Sequence, residues 1–501
     1  MTGRHVVVIG GGLAGVTAAI GLREAGLEVT LLEARPRLGG AASSFSRGEL
    51  TIDNGQHVFL RCCTSYRGLL AKLGASDLVT IQERFDVVVL SARGRARLRR
   101  TGLPGPLHMG RALAGYRLLP LAERLNVARA ALALRSVDPA DPAADGTALG
   151  TWLAAKGQSE RARRLLWDLF IVSAMNIAGD DASLALAATV IQMALLGARD
   201  AADIGIADVP LGDVHGRAAA DLLGKLGVRV RLGARAAGVE PLPGGGLRIG
   251  LIYDRSGAGA QHGADGAGAQ HAAGAQDGAG GAGDGEVGPA LLADGVVLAV
   301  PAAQAARLAG AAGVADAARW GGLGDSPIVN VHVVYDRQVT DLPFAAAVES
   351  PVQWVFDKTR QSGLAAGQYL AVSLSAADGY VDVPAATLRE EFLPELEQLF
   401  PAAAGAQVTD FFVTRERRAT FRQAPGVGAL RPGAATSVPG LVLAGAWTDT
   451  GWPDTMEGAV RSGQSAAEEM IRGLDGRLGS QPAQDRAGPR PATTAATGAG
   501  S

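Results

Sequence analysis

Val6-Val7-Val8-Ile9-Gly10-Gly11-Gly12-Leu13-Ala14-Gly15, followed about 20 residues on by Glu33, is the stretch whose reading decides the fold. The unbroken, β-branched run Val6–Ile9 reads as a buried parallel strand. Gly10, Gly12 and Gly15 fit G-x-G-x-x-G and lead into a helix reaching about Ala25, with Gly26 as its stop. Val29–Leu32 is the second strand, and Glu33 ends it where an acid accepts hydrogen bonds from ribose hydroxyls. The glycines let backbone N–H groups approach a pyrophosphate, and the helix start at Leu13 and Ala14 adds partial positive charge. Together they predict a dinucleotide site on a βαβ unit.

A second glycine-rich stretch lies more than 400 residues away: Leu443-Ala444-Gly445-Ala446-Trp447-Thr448-Asp449-Thr450-Gly451-Trp452-Pro453-Asp454-Thr455-Met456-Glu457-Gly458-Ala459-Val460-Arg461-Ser462-Gly463. Val442–Gly445 reads as a strand and Thr455–Met470 as a helix. Glu457 in the first turn is a natural capping carboxylate. Two such stretches predict one cofactor held by both ends of the chain.

The 501 residues are enough for two or three domains, and a formal net charge of −2 gives no footprint for nucleic acid. The first strand starts about five residues from Met1, which leaves no space for a signal peptide. No apolar run is long enough to span a bilayer. The only cysteines, Cys62 and Cys63, are adjacent, which fits a reducing, cytoplasmic setting. No metal is expected.

Ser256–Pro289 is of low complexity, with 22 Gly or Ala in 34 residues. Having almost nothing to bury, it is expected to be a disordered insertion between strands near Leu247–Tyr253 and Ala290–Val300. The tail from about Leu474 to Ser501 has similar composition. Gly227–Leu232 and Ala237–Glu240 read as a strand pair, and the region from about Arg95 to Asp203 as helical. Ile328–Tyr335 and Tyr369–Ser375 suggest a separate sheet. Within Pro106–Arg135, Leu, Ala, Met and Tyr alternate with Arg111, Arg117, Arg124, Arg129 and Arg135. That pattern suits a membrane interface and equally a helical hairpin with one solvated face.

After Glu33 the chain reads Ala34-Arg35-Pro36-Arg37-Leu38-Gly39-Gly40-Ala41, which resembles the E-A-R-x-R-x-G-G-R signature of flavoproteins related to amine oxidases and phytoene desaturases. Ala41 stands where that family has Arg. The carboxy-terminal stretch resembles A-G-D-x-T-x-x-G-x-P-x-x-M-E-G-A of the carotenoid and squalene-associated desaturases, with Ala446 in place of the Asp that binds a ribityl hydroxyl. Asp53-Asn54-Gly55-Gln56-His57, Trp167-Asp168, Ala174-Met175-Asn176, Ser326–Val331 and Gln353-Trp354-Val355-Phe356-Asp357 resemble the hydroxysqualene dehydroxylase family.

The resemblance implies an α/β fold: a Rossmann-like, FAD-binding domain of the glutathione-reductase-2 type with an inserted α+β substrate domain. It places FAD binding in residues 1–90, 205–315 and 425–472, and the substrate domain in 91–204 and 316–424. The implied FAD contacts are Gly10, Gly12, Leu13, Ala14, Gly15, Glu33, Ala34, Arg35, Gly39, Gly40, Ala41, Val239, Gly445, Ala446, Pro453, Thr455, Met456 and Glu457, with the last helix aimed at the flavin's pyrimidine edge. The implied reaction replaces the hydroxyl of hydroxysqualene by hydrogen, using flavin reduced by an external donor that the residues do not specify. Hydroxide is a poor leaving group, so an acid is needed. Asp53, Gln56 and His57 are candidates, with Trp452, Asp454 and Asp449 as alternatives. Two other readings stay open: a carotenoid desaturase or isomerase, and a non-catalytic lipid-binding relative in which Ala41 and Ala446 have weakened flavin binding.

Overall fold

The computed structural model describes residues 3–104, 107–253 and 286–479, the last three by their backbone only. Its first sheet is parallel and five-stranded, in the order Arg229–Leu232, Glu28–Glu33, His5–Ile9, Gly295–Leu298, Leu441–Leu443. His5–Ile9 is central, pairing Val6 with Val29 on one side and with Gly295 on the other. Being covered on both faces, the strand is apolar throughout: Val6, Val7 and Val8 are wholly buried. The chain thus returns to this sheet from three distant points, and its last strand lies beside Gly295–Leu298.

The Leu13–Glu24 helix follows the first strand, and the Met456–Gly479 helix follows the last. They pack directly on each other through small residues. A Cβ on Gly463 would lie 2.3 Å from the Ala14 carbonyl oxygen and 2.8 Å from Thr17 Cβ; one on Gly21 would lie 3.1 Å from Ala467 Cβ. Only glycine at 463 permits this approach.

A second, seven-stranded sheet runs Val408–Phe421, Asp325–Tyr335, Gln368–Leu374, Trp354–Asp357, Phe344–Ala347, Asp86–Ser91, Gly94–Arg99. Its Asp325–Tyr335 strand pairs antiparallel on both sides and buries Val329, Val331 and Val333. Helices between Leu107 and Leu196 cover part of the structure beside it.

Several expectations need correction. Asp86–Ser91 straddles the expected boundary at residue 90, and with Gly94–Arg99 it forms a hairpin of the larger sheet where helix was expected. Alternation such as Val87, Val89 inward and Arg95, Arg97, Arg99 outward is a strand period that the high Arg and Ala content obscures. Arg229–Leu232 and Ala234–Pro241 do not pair together: the first joins the parallel sheet, the second a three-stranded antiparallel sheet with Leu247–Tyr253 and Glu286–Ala293. Residues 286–289 of the expected insertion are therefore strand; its residues 256–285 lie outside the described residues. The last helix runs to Gly479, beyond the expected start of the tail at Leu474, and 480–501 lie outside the described residues. Among the described residues no helix is long and apolar enough to cross a membrane.

Candidate functional site

The turn after the first strand is built by the absence of side chains. Gly10 has φ +113°, and a Cβ there would lie 2.1 Å from the Ala299 carbonyl oxygen; at Gly15 it would lie 1.9 Å from that of Gly10. Gly12 caps the Leu13–Glu24 helix without a side-chain hydrogen bond. The N–H groups of that first turn thus face the mouth of the turn with no acceptor from the cap, the arrangement that receives a phosphate. Across the mouth lies Gly39–Gly40: Gly39 N–H donates to the Gly11 carbonyl (2.9 Å), and a Cβ on Gly40 would lie 2.9 Å from Gly12 Cα. The two glycine clusters meet backbone to backbone.

Glu33 is buried and fixed by two N–H donors, Gly11 to Oε2 and Arg35 to Oε1, both at 2.7 Å. Its carboxylate is held at the mouth with acceptor capacity left over. Ala34, Arg35 and Ala41 are exposed beside it, and Val239 lies buried on the edge strand Ala234–Pro241.

At the other end, Gly445 adopts φ +143°, where a Cβ would lie 2.3 Å from Trp447 Nε1; its N–H donates to Ser462 Oγ (2.8 Å). Ala446 is buried. A Cβ on Gly458 would lie 2.7 Å from the Pro453 carbonyl, so glycine is needed there too. Thr455 Oγ1 caps its own helix by accepting from Gly458 N–H (3.2 Å). The Glu457 side chain is a capping carboxylate, but for a neighbouring helix. Its buried oxygens accept from Ser65 N–H (3.1 Å), Tyr66 N–H (2.7 Å) and Arg461 Nε (2.8 Å), so it caps the neighbouring Thr64–Leu73 helix. Met456 stays at the start of the last helix.

Asp53, Gln56 and His57 line one cavity of about 220 Å³ whose other walls include Ile206, Leu211, Phe344 and Phe356. A residue that the sequence reading did not single out joins them: Lys358, buried, with Nζ 2.9 Å from Asp53 Oδ2. Asp53 also accepts from Ser44 Oγ (2.7 Å) and Leu211 N–H (2.9 Å). So engaged, it serves as the counter-charge of Lys358. Burial, aided by the Lys358 cation and opposed by Asp53, pushes the His57 pKa down; the ring is neutral at pH 7. Nearby, the buried Asn330 Oδ1 has no partner among the described residues, nor has Ser43 Oγ. Asn330 Nδ2 lies 3.9 Å from the position a Cβ on Gly55 would take. Lys358 directly follows Asp357, yet a lysine's burial has no signature in sequence.

Asp454 lies apart from that cavity, at the head of the last helix. Its Oδ2 accepts from Phe421 N–H (3.0 Å), and its own N–H donates to Gln423 Oε1 (3.1 Å). Burial raises its pKa to about 6, against the Phe421 hydrogen bond and the Arg431 charge. The alternatives Asp449 and Trp452 belong to the same loop, Trp452 lying under the Arg461 guanidinium (4.7 Å). Arg431 is the second residue unforeseen in the sequence. It is buried among the carbonyls of Ala446, Trp447, Thr448 and Trp452.

Residues 13–471 match the family model described as flavin containing amine oxidoreductase. The chain belongs to that family. Hydroxysqualene dehydroxylase of Rhodopseudomonas palustris is 30% identical over 93% of this chain and 98% of its own. That of Sinorhizobium fredii has the same identity and coverage. Cyclohexylamine oxidase from Brevibacterium oxydans has the same fold, with a TM-score of 0.67 at 20% identity over 94% of this chain and 99% of its own. As a family member the protein is an FAD-dependent oxidoreductase, and the side-chain-free cradle described above fits FAD.

Proposed function

We propose that this chain carries out the reductive dehydroxylation of hydroxysqualene to squalene. The reading is supported by its 30% identity to hydroxysqualene dehydroxylases along nearly the whole chain. The observation that carries it is a cavity of mixed lining, in which Phe344, Phe356 and Ile206 share the walls with Asp53, Gln56, His57, Asp208 and Lys358. That chemistry suits a hydrocarbon chain bearing one hydroxyl.

Reduced FAD supplies the hydride that replaces the hydroxyl. The protein's task is to make hydroxide leave as water and to keep other water from the allylic cation that remains. Asp454, apart from that cavity at the helix start of the second glycine-rich stretch, is assigned as the proton donor, its pKa raised by burial to about 6. The substrate reaches the site through the hairpin of helices Leu107–Gly115 and Leu121–Leu134, resting on a membrane surface.

The test is an anaerobic incubation of the purified protein with reduced FAD and hydroxysqualene. Squalene in the lipid extract is the expected result. Bound, reducible flavin with no squalene overturns the reading; conversion of a hydroxyl-free polyene by oxidised flavin replaces it with a desaturase.

A further inference from the structure

Arg431 stands out among the buried charges because all its hydrogen bonds go to uncharged oxygens. Nη2 donates to the carbonyls of Thr448 (2.5 Å), Trp452 (2.8 Å) and Ala446 (3.1 Å), and Nε to that of Trp447 (3.3 Å). The Phe421 ring covers the guanidinium, 5.0 Å from Cζ to the ring centre. The nearby acids, Asp449, Asp454 and Asp145, act on it through space. Its charge is therefore diffusely compensated and the loop is wrapped around it.

The peptide plane sets the consequence. N–H and C=O of a trans peptide point in opposite directions. Turning the Ala446, Trp447 and Thr448 carbonyls towards one cation turns the next N–H groups outward. Thr448 N–H then donates to the Gly445 carbonyl and Asp449 N–H to that of Pro432. Trp447 N–H finds no acceptor among the described residues, although Trp447 is buried. It lies one residue past Ala446, where the resembling flavoproteins have a cofactor-binding Asp.

The geometry points to Arg431 as the positioning residue of the flavin site: it holds the Ala446–Trp452 loop so that the loop backbone replaces the missing side chain at 446, and it keeps a buried positive charge beside that loop. The inference rests on FAD alone and not on the alcohol substrate, so it can be read with no substrate present. The holoenzyme, Arg431→Met and Arg431→Lys are compared for FAD Kd, midpoint potential of the bound flavin, and Tm. Losing charge-assisted hydrogen bonds in Arg431→Met weakens FAD roughly 10- to 100-fold. It also moves the potential to more negative values, because a buried positive charge near the cofactor loop is lost. Arg431→Lys keeps the charge but loses the fork, so affinity falls while the potential stays near wild type. If Arg431→Met does not fold, Ala446→Asp in the Arg431→Lys background carries the test by restoring FAD affinity. Wild-type Kd and potential in a folded Arg431→Met, or no restoration by Ala446→Asp, overturns the inference.

Discussion

Asp454 and Glu457, three residues apart at the head of one helix, show how environment divides two carboxylates. Glu457 accepts from two backbone N–H groups and an arginine. Asp454, half-buried, accepts from one backbone N–H, and loss of solvation raises its pKa to about 6. Sequence revealed the acids and their closeness to the second glycine-rich stretch. It did not reveal their partners, Tyr66 and Phe421, which come from distant parts of the chain. The folded Asp454 keeps its proton up to about pH 6, whereas in the unfolded chain the group loses it near the ordinary aspartate value of about 4. This group therefore weakens the fold as pH rises from about 4 to about 6. Asp454→Asn should remove that slope, measured as Tm against pH. If Asp454 is the acid, wild-type kcat falls above about pH 6, and Asp454→Asn lowers kcat by roughly 100-fold or more with that limb gone. Wild-type kcat in the variant assigns the proton elsewhere.

At the scale of elements, the glycines at 10 and 15 were legible because each is demanded by a backbone approach, and Glu33 because the spacing is fixed by one helix and one strand. The contact between the first and last helices was not. Gly463 closes the second quoted stretch, but its need for lacking a Cβ comes from Ala14, some 450 residues away. Gly463→Ala must displace backbone, which costs about 1–3 kcal/mol. A fall in Tm on the order of 5 °C follows, together with weaker FAD retention, since this contact joins the two halves of the cradle. An unchanged Tm would mean that the helices slide apart freely. The Arg229–Leu232 and Ala234–Pro241 strands were recognised but wrongly paired, because a single Gly233 between them permits either a tight turn or a change of sheet.

Over the whole molecule, the parallel sheet was legible from apolar runs, while the seven-stranded sheet was only partly so, since its strands come from widely spaced segments. The surface adds something that periodicity left undecided. Of ten large apolar side chains exposed among the described residues, five are Leu103, Leu107, Leu121, Leu125 and Leu132. The last three share one face of the Leu121–Leu134 helix, at spacings of four and seven residues. Arg111, Arg117, Arg129 and Arg135 are exposed around them. Replacing Leu121, Leu125 and Leu132 together by Glu should lower co-sedimentation with anionic phospholipid vesicles roughly tenfold or more, with folding intact by circular dichroism. Equal sedimentation would remove the membrane from the proposed route of the substrate. The close seating of Gly463 on Ala14 also fixes an order of events during synthesis. The amino-terminal strand and helix leave the ribosome first, yet the surface that covers them arrives some 450 residues later, after roughly 20–90 s at usual elongation rates. Until then the nascent chain has half a cofactor cradle and an uncovered helix face. Flavin capture is thus a closing step of biogenesis, and a transcript truncated before residue 456 yields a chain unable to complete it.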